Sequence, residues 1–209
     1  MCNTLWSFYR ILTIALVLAF ISAARAQDIF AYNILLNTSG LSANPGVSYT
    51  LDFQFNNGDA ILGNNTVTFS NFDLGGGTTS AALPTTLTDG FASDYQDPFT
   101  PGDHISFTLT MTNAFSGDPN LYSPDEFTFS ILDGSGNDIN TTSPNGSFIT
   151  IDTSEVGGPQ SASAYSFGKI TATIVAVPEP SIWLLTLLGL VGMGILALTR
   201  QNCASGGEI

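Results

Sequence analysis

Carboxylate oxygen is the only ligand chemistry this chain offers in quantity. Between residues 27 and 176 stand thirteen aspartates, from Asp28 to Asp152, with Glu126 and Glu155, against Lys169 as the only base. Hard divalent cations, calcium above all, bind such carboxylates together with backbone carbonyls. Asp94, Asp97 and Asp103 share one short stretch and make the first candidate calcium site, while Asp118 with Asp125 and Glu126 makes a second grouping. The segment Asp133-Gly134-Ser135-Gly136-Asn137-Asp138 has the outline of a calcium loop. However, Asp138 stands where such a loop turns on Gly and Pro144 where it closes on Glu, so the segment is read as a hairpin turn.

Catalysis has fewer means. A Ser-His-Asp triad would have to use His104, the only histidine, which follows Pro101-Gly102-Asp103 at a loop-to-strand junction and is read as a surface or capping residue. Zinc would require several His or Cys ligands, and this segment carries His104 alone. Glu126 or Glu155 with an aspartate would meet the two-carboxylate requirement of a glycosidase, but spacing in sequence does not make a pair. The expectation is a protein that is not an enzyme and needs no cofactor beyond candidate calcium.

Sugar binding is the alternative. Tyr95, Phe99, Tyr122 and Tyr165 lie near loops or strand ends, where aromatic rings can stack on sugars, and Tyr95 and Tyr122 are the candidate ligand-binding residues. That reading is a lectin-like carbohydrate-binding module, with or without calcium. Both tryptophans, Trp6 and Trp183, lie outside the segment. With a net charge of −13, the chain repels phosphate backbones, and nucleic acid is excluded as a partner.

Strands must position these groups, because the apolar residues recur with a period of two. Val47, Tyr49, Leu51, Phe53 and Phe55 alternate with Ser48, Thr50, Asp52 and Gln54 before Asn56-Asn57-Gly58-Asp59 turns the chain. Ile105, Phe107, Leu109 and Met111 alternate with polar residues in the same way, and so do Phe127, Phe129 and Ile131. Weaker strands are expected over 30–36, 66–74, 147–151 and 165–176, with a bulge near Ser70-Asn71 where the apolar phase shifts. The segment 75–102 reads as loop with at most one short strand, and 159–163 as a loop. Seven or eight short strands without a helical period predict an all-β fold, an antiparallel β-sandwich or jelly roll, in a single domain over 27–176.

Apolar segments bracket this domain. Arg10 precedes an apolar run over 11–21, and Ala24 and Ala26 supply the small residues a signal peptidase reads, so 1–26 is expected to be a signal peptide cut before Gln27. At the other end, residues 182–198 are apolar throughout and rise about 25 Å as a helix, near the minimum for crossing a membrane. Arg200 follows as a membrane stop and favours a cytoplasmic tail over 201–209 by the positive-inside rule. Cys2 and Cys203 both lie in these flanks, so the domain between them has neither a disulfide nor a thiolate.

The segment 177–200 opens on Val177-Pro178-Glu179-Pro180-Ser181 and continues through the apolar span to Arg200. It resembles the PEP-CTERM sorting signal of Gram-negative bacteria, although Arg200 stands alone where that family carries a basic cluster. Leu51-Asp52-Phe53-Gln54-Phe55-Asn56, preceded by Thr38-Ser39-Gly40-Leu41, is also similar to a group of PEP-CTERM ectodomains of unknown function. The resemblance implies export through the general secretion machinery and retention in the inner membrane. It further implies cutting near the proline motif by an exosortase, then a place at the cell surface or outside it, among exopolysaccharide or in a biofilm.

Overall fold

The computed structural model describes residues 28–42, 46–90, 93–113, 122–140, 142–153 and 161–177. The expected signal peptide with Ala24, Ala26 and Gln27, the motif residues Pro178 to Ser181, the apolar segment 182–198, Arg200, Asp118 and Glu155 lie outside the described residues. Within them no helix is long and apolar enough to cross a membrane.

The chain is all-β. One antiparallel sheet holds β1 (Asp28–Asn37), β3 (Thr66–Asp73), β5 (Thr86–Thr88), β7 (His104–Asn113) and β11 (Thr171–Val177), in the order β11-β1-β7-β3-β5. The other holds β2 (Tyr49–Asn56), β4 (Thr78–Thr79), β6 (Asp94–Thr100), β8 (Glu126–Leu132), β9 (Ile149–Asp152) and β10 (Ser161–Ala164), in the order β10-β9-β8-β2-β6-β4. A single helical turn, α1 (Ser39–Ser42), follows β1.

Alternation decides which side of each sheet is buried. In β7, Ile105, Phe107, Leu109 and Met111 point inward, and their polar neighbours stay partly exposed. Phe53 on β2 lies at the centre of the core. Its ring stacks on Phe129 at 4.6 Å within its own sheet and meets Phe69 and Phe107 of the other sheet edge-on at 5.4 and 5.7 Å. The two sheets therefore share one aromatic core, in which truncating a buried Phe to Ala costs about 3–5 kcal/mol.

The bulge expected near Ser70-Asn71 is present. The β3–β7 register shifts between Ser70 and Asp73, and Asn71 takes a left-handed φ of 56°. The hairpin reading of 133–138 also agrees with the structure: the Asp133 carboxylate accepts N–H bonds from Ser135 and Asn137, and Leu132 bridges Asp138.

Three expectations need correction. The segment 75–102 carries three strands, and the longest, β6, escaped the pattern because its inward positions are Tyr95, Asp97 and Phe99, with a proline between the last two. Ser161–Ala164 is a strand on the edge of its sheet, built of small residues with no apolar contrast. The last strand begins at Thr171 and not at Tyr165, because Phe167 to Ile170 make a tight turn through Gly168, whose φ is 61°.

Connectivity gathers several strand ends at one end of the stack. Thr66 at the start of β3 lies beside Thr112 near the end of β7, and Asn56 at the end of β2 lies opposite Glu126 at the start of β8. The two outermost strands of the chain meet there as well, since β1 pairs with both β7 and β11 and places Asp28 opposite Asn113 and Ala31 opposite Val177.

Candidate metal centre

At that end three buried aspartates converge from three separate connections. Asp59 lies in the loop between β2 and β3, Asp89 directly follows β5, and Asp125 directly precedes β8. Their relative exposures are 1%, 0% and 0%, and one carboxylate oxygen from each lies within 4.8 Å of the others. Each of these connections joins a strand of one sheet to a strand of the other.

The loop after β2 is shaped to reach this position. Gly58 packs so closely on the chain before β8 that a Cβ there would collide with the carbonyl oxygens of Ser123 and Pro124. The Gly58 and Asp59 N–H groups donate to Asp125 Oδ1 at 2.7 and 3.2 Å. Asn57 Oδ1 accepts from Ala60 N, while Asp59 Oδ1 accepts from Ile61 N, both at 2.8 Å, which curls the loop around its own aspartate. Asn64 Nδ2 donates to Asp59 Oδ2 at 2.8 Å and Asn65 Nδ2 to Asp125 Oδ2 at 2.7 Å. On the far side Asp125 N donates to Thr153 Oγ1 at 2.8 Å, tying in the end of β9.

Asp59 and Asp125 are thus oriented by donors, but Asp89 is not. Both of its oxygens are buried and neither has a hydrogen-bond partner among the described residues. Burial pushes its carboxyl above the usual carboxylate range and the neighbouring Asp125 pushes the same way; the Asn65 and Gly63 peptide groups temper the shift without hydrogen-bonding alignment. Among the described residues no cationic side chain offsets the cluster. The one ion pair among the described residues joins His104 to Asp73, and Lys169 packs beside Gly40, which follows β1 at the opposite end. Two unit charges at this spacing repel by about 3–4 kcal/mol at an effective dielectric of 20. A fully ionised trio therefore needs a positive counterpart, either a proton or a cation.

The residues expected from sequence fall elsewhere. Asp94 and Asp97 lie on β6 and Asp103 precedes β7, and the three do not form a carboxylate cluster among the described residues. Asp97 is instead an internal cap that accepts from Ser80 N at 2.6 Å, Ala81 N at 3.1 Å and the Ser80 hydroxyl. Burial pushes its carboxyl up, but the bonds from Ser80 and Ala81 outweigh that and hold it below the usual range. Tyr95 leans its ring on Phe53 and donates its hydroxyl to Ala82 O at 2.8 Å, whereas Tyr122 is exposed.

Of the residues weighed for catalysis, His104 and Glu126 each face an aspartate. His104 Nε2 lies 3.2 Å from Asp73 Oδ2, which links the end of β3 to the start of β7. Glu126 stands opposite Asp152 across the β8–β9 pair, where burial first and the facing Asp152 second push the Glu126 carboxyl up. Neither of these two acids lines either of two surface grooves formed by the described residues. One groove, of about 550 Å³, is walled by Gln54, Asn57, Leu62, Ser93 and Asp94. The other, of about 530 Å³ at the opposite end, is walled by Val47, Tyr49, Ser80, Pro98 and Pro101.

Sequence reasoning included Asp125 in a ligand grouping, read Asp59 only as a turn residue and passed over Asp89. The signal open to it was that each of the three borders a Gly or Pro next to a strand end. No family model, no curated protein and no solved structure matches this chain, so its own geometry has to carry the functional reading.

Proposed function

We propose that the chain is an exported, non-catalytic surface or matrix protein, an antiparallel jelly-roll-like β-sandwich presented outside the inner membrane. On this reading signal peptidase cuts before Gln27, the apolar span 182–198 holds the precursor, and an exosortase acts at Val177 to Ser181. The product then sits at the cell surface or among exopolysaccharide.

One observation supports this reading most. β1 and β11 run side by side, so both flanking apolar segments join the domain at the same end. A domain tethered that way stands on a membrane with its other end, and the groove beside Tyr49 and Pro98, facing outward. Val177, the first residue of the proline motif, closes β11 on the edge of its sheet and is exposed, which suits a cut beside it.

The test is intact-mass spectrometry of the protein from membranes and medium of its native host, with and without the exosortase. A form running from Gln27 to the 178–181 region only when the protease is present is the expected result. A form ending at Ile209 in both cases would overturn it. The carbohydrate-binding alternative keeps Tyr122 as an exposed ring but has Tyr95 committed to the protein itself.

A further inference from the structure

We infer that Asp59, Asp89 and Asp125 form a calcium site that fastens the connections of the two sheets at one end of the domain. Two independent observations meet here. Three buried carboxylates share a space in which one oxygen of each lies within 4.8 Å of the others, about twice a calcium–oxygen bond. One of the three, Asp89, is buried with both oxygens unpartnered, and one of those oxygens faces the other two carboxylates in that space. Buried acceptors are almost always satisfied, and among the described residues no donor reaches this one in hydrogen-bonding geometry, the Asn65 and Gly63 peptide groups nearby being out of line.

The ligand chemistry selects the ion. Every ligand is oxygen, which sets aside zinc and the softer metals. The ligands come from three irregular connections, which suits the tolerant coordination of calcium better than the strict octahedron of magnesium. Asp59 and Asp125 retain acceptor capacity beyond the bonds they already make, since a carboxylate offers about four lone-pair sites. Asn64, Asn65 and the Gly58 and Asp59 N–H groups hold these two carboxylates in place, as groups behind a metal ligand do. Because the three connections are far apart in sequence, the ion would lock a loop, the end of β5 and the start of β8 together.

The site stands independently of how the chain is sorted. The test uses the full-length protein in mild detergent, melted in EGTA, in millimolar calcium and in millimolar magnesium, with native mass spectrometry counting bound ions. Expected are one calcium per chain and a melting point higher by about 5 °C or more in calcium, with little effect of magnesium. Asp89→Asn and, separately, Asp59→Asn abolish the calcium increment, and Asp89→Asn melts in EGTA no lower than the parent. Equal melting in EGTA and calcium, with no ion bound, would overturn the proposal and leave a proton as the counter-charge. A calcium increment that survives Asp89→Asn, or an equal increment from magnesium, would overturn it too.

Discussion

Asp97 and Asp89 are both buried carboxylates, and their surroundings could hardly differ more. Asp97 is enclosed by two backbone N–H groups and a hydroxyl that turn toward it, which holds its carboxyl in the ionised form. Asp89 is buried with no aligned donor among the described residues, and burial first and the neighbouring Asp125 second favour its neutral form. Burial of an acid is therefore not the mark of a ligand site; the supply of donors is. Where the fold provides donors, the charge belongs to the architecture, and where it withholds them, the charge is left for something else to meet.

The sharpest way to break this comparison is to truncate the satisfied acid. Asp97→Ala orphans the Ser80 and Ala81 donors and should cost about 2–3 kcal/mol in a urea melt. A loss no larger than that of an ordinary surface substitution would mean the cap contributes nothing. The same acid gives a pH signature. Its folded pKa is depressed, so its contribution is fully present above the unfolded value of about 3.9 and is lost as pH falls through the lower folded value. The stability gap between the parent and Asp97→Asn should hold at neutral pH and close on strong acidification, followed by melting point.

Changing the unsatisfied acid should do the reverse. In calcium-free protein Asp89→Asn removes a repelled charge, and stability should stay level or rise by up to about 1 kcal/mol. A loss as large as that of Asp97→Asn would show that Asp89 has protein partners after all. The smallest effect is expected at Glu126, which faces Asp152 across a strand pair. Glu126→Gln should stabilise the domain by about 0.5 kcal/mol at neutral pH. The Glu126 carboxyl has a raised folded pKa, so its penalty is full above that value and relieved as pH falls; the gain from the variant should shrink in acid.

The same contrast explains what the sequence made legible. β2, β7 and β8 could be read because every inward position is apolar, and Phe53, Phe107 and Phe129 fill the core where alternation puts them. β6 was hidden because Asp97 occupies an inward position, so the residue that caps the Ser80–Ala81 turn is the one that breaks the pattern. β10 was hidden because Ser161 to Ala164 offer no contrast between faces. The buried aspartate cluster was out of reach for another reason. Asp59, Asp89 and Asp125 become neighbours only after the order β7-β3-β5 of one sheet and β8-β2-β6 of the other are known. The Gly or Pro beside each of them also stands beside Asp103, Asp118 and Asp133, so along the chain that signal does not single them out.

The pairing of β1 with β11 also sets the order of assembly. β1 finds its partners only by closing the chain from residue 37 to residue 104 and again from residue 37 to residue 171. Such distant closures cost entropy before any contact repays them, and sheets built on them fold slowly. The sheet lacks its outer strand until residue 177 is free to pair, so a polypeptide emerging from its N-terminus holds an unfinished strand edge until almost the whole domain is available. The strand that appears first is therefore completed last, and the step that finishes the domain is the arrival of its C-terminal end.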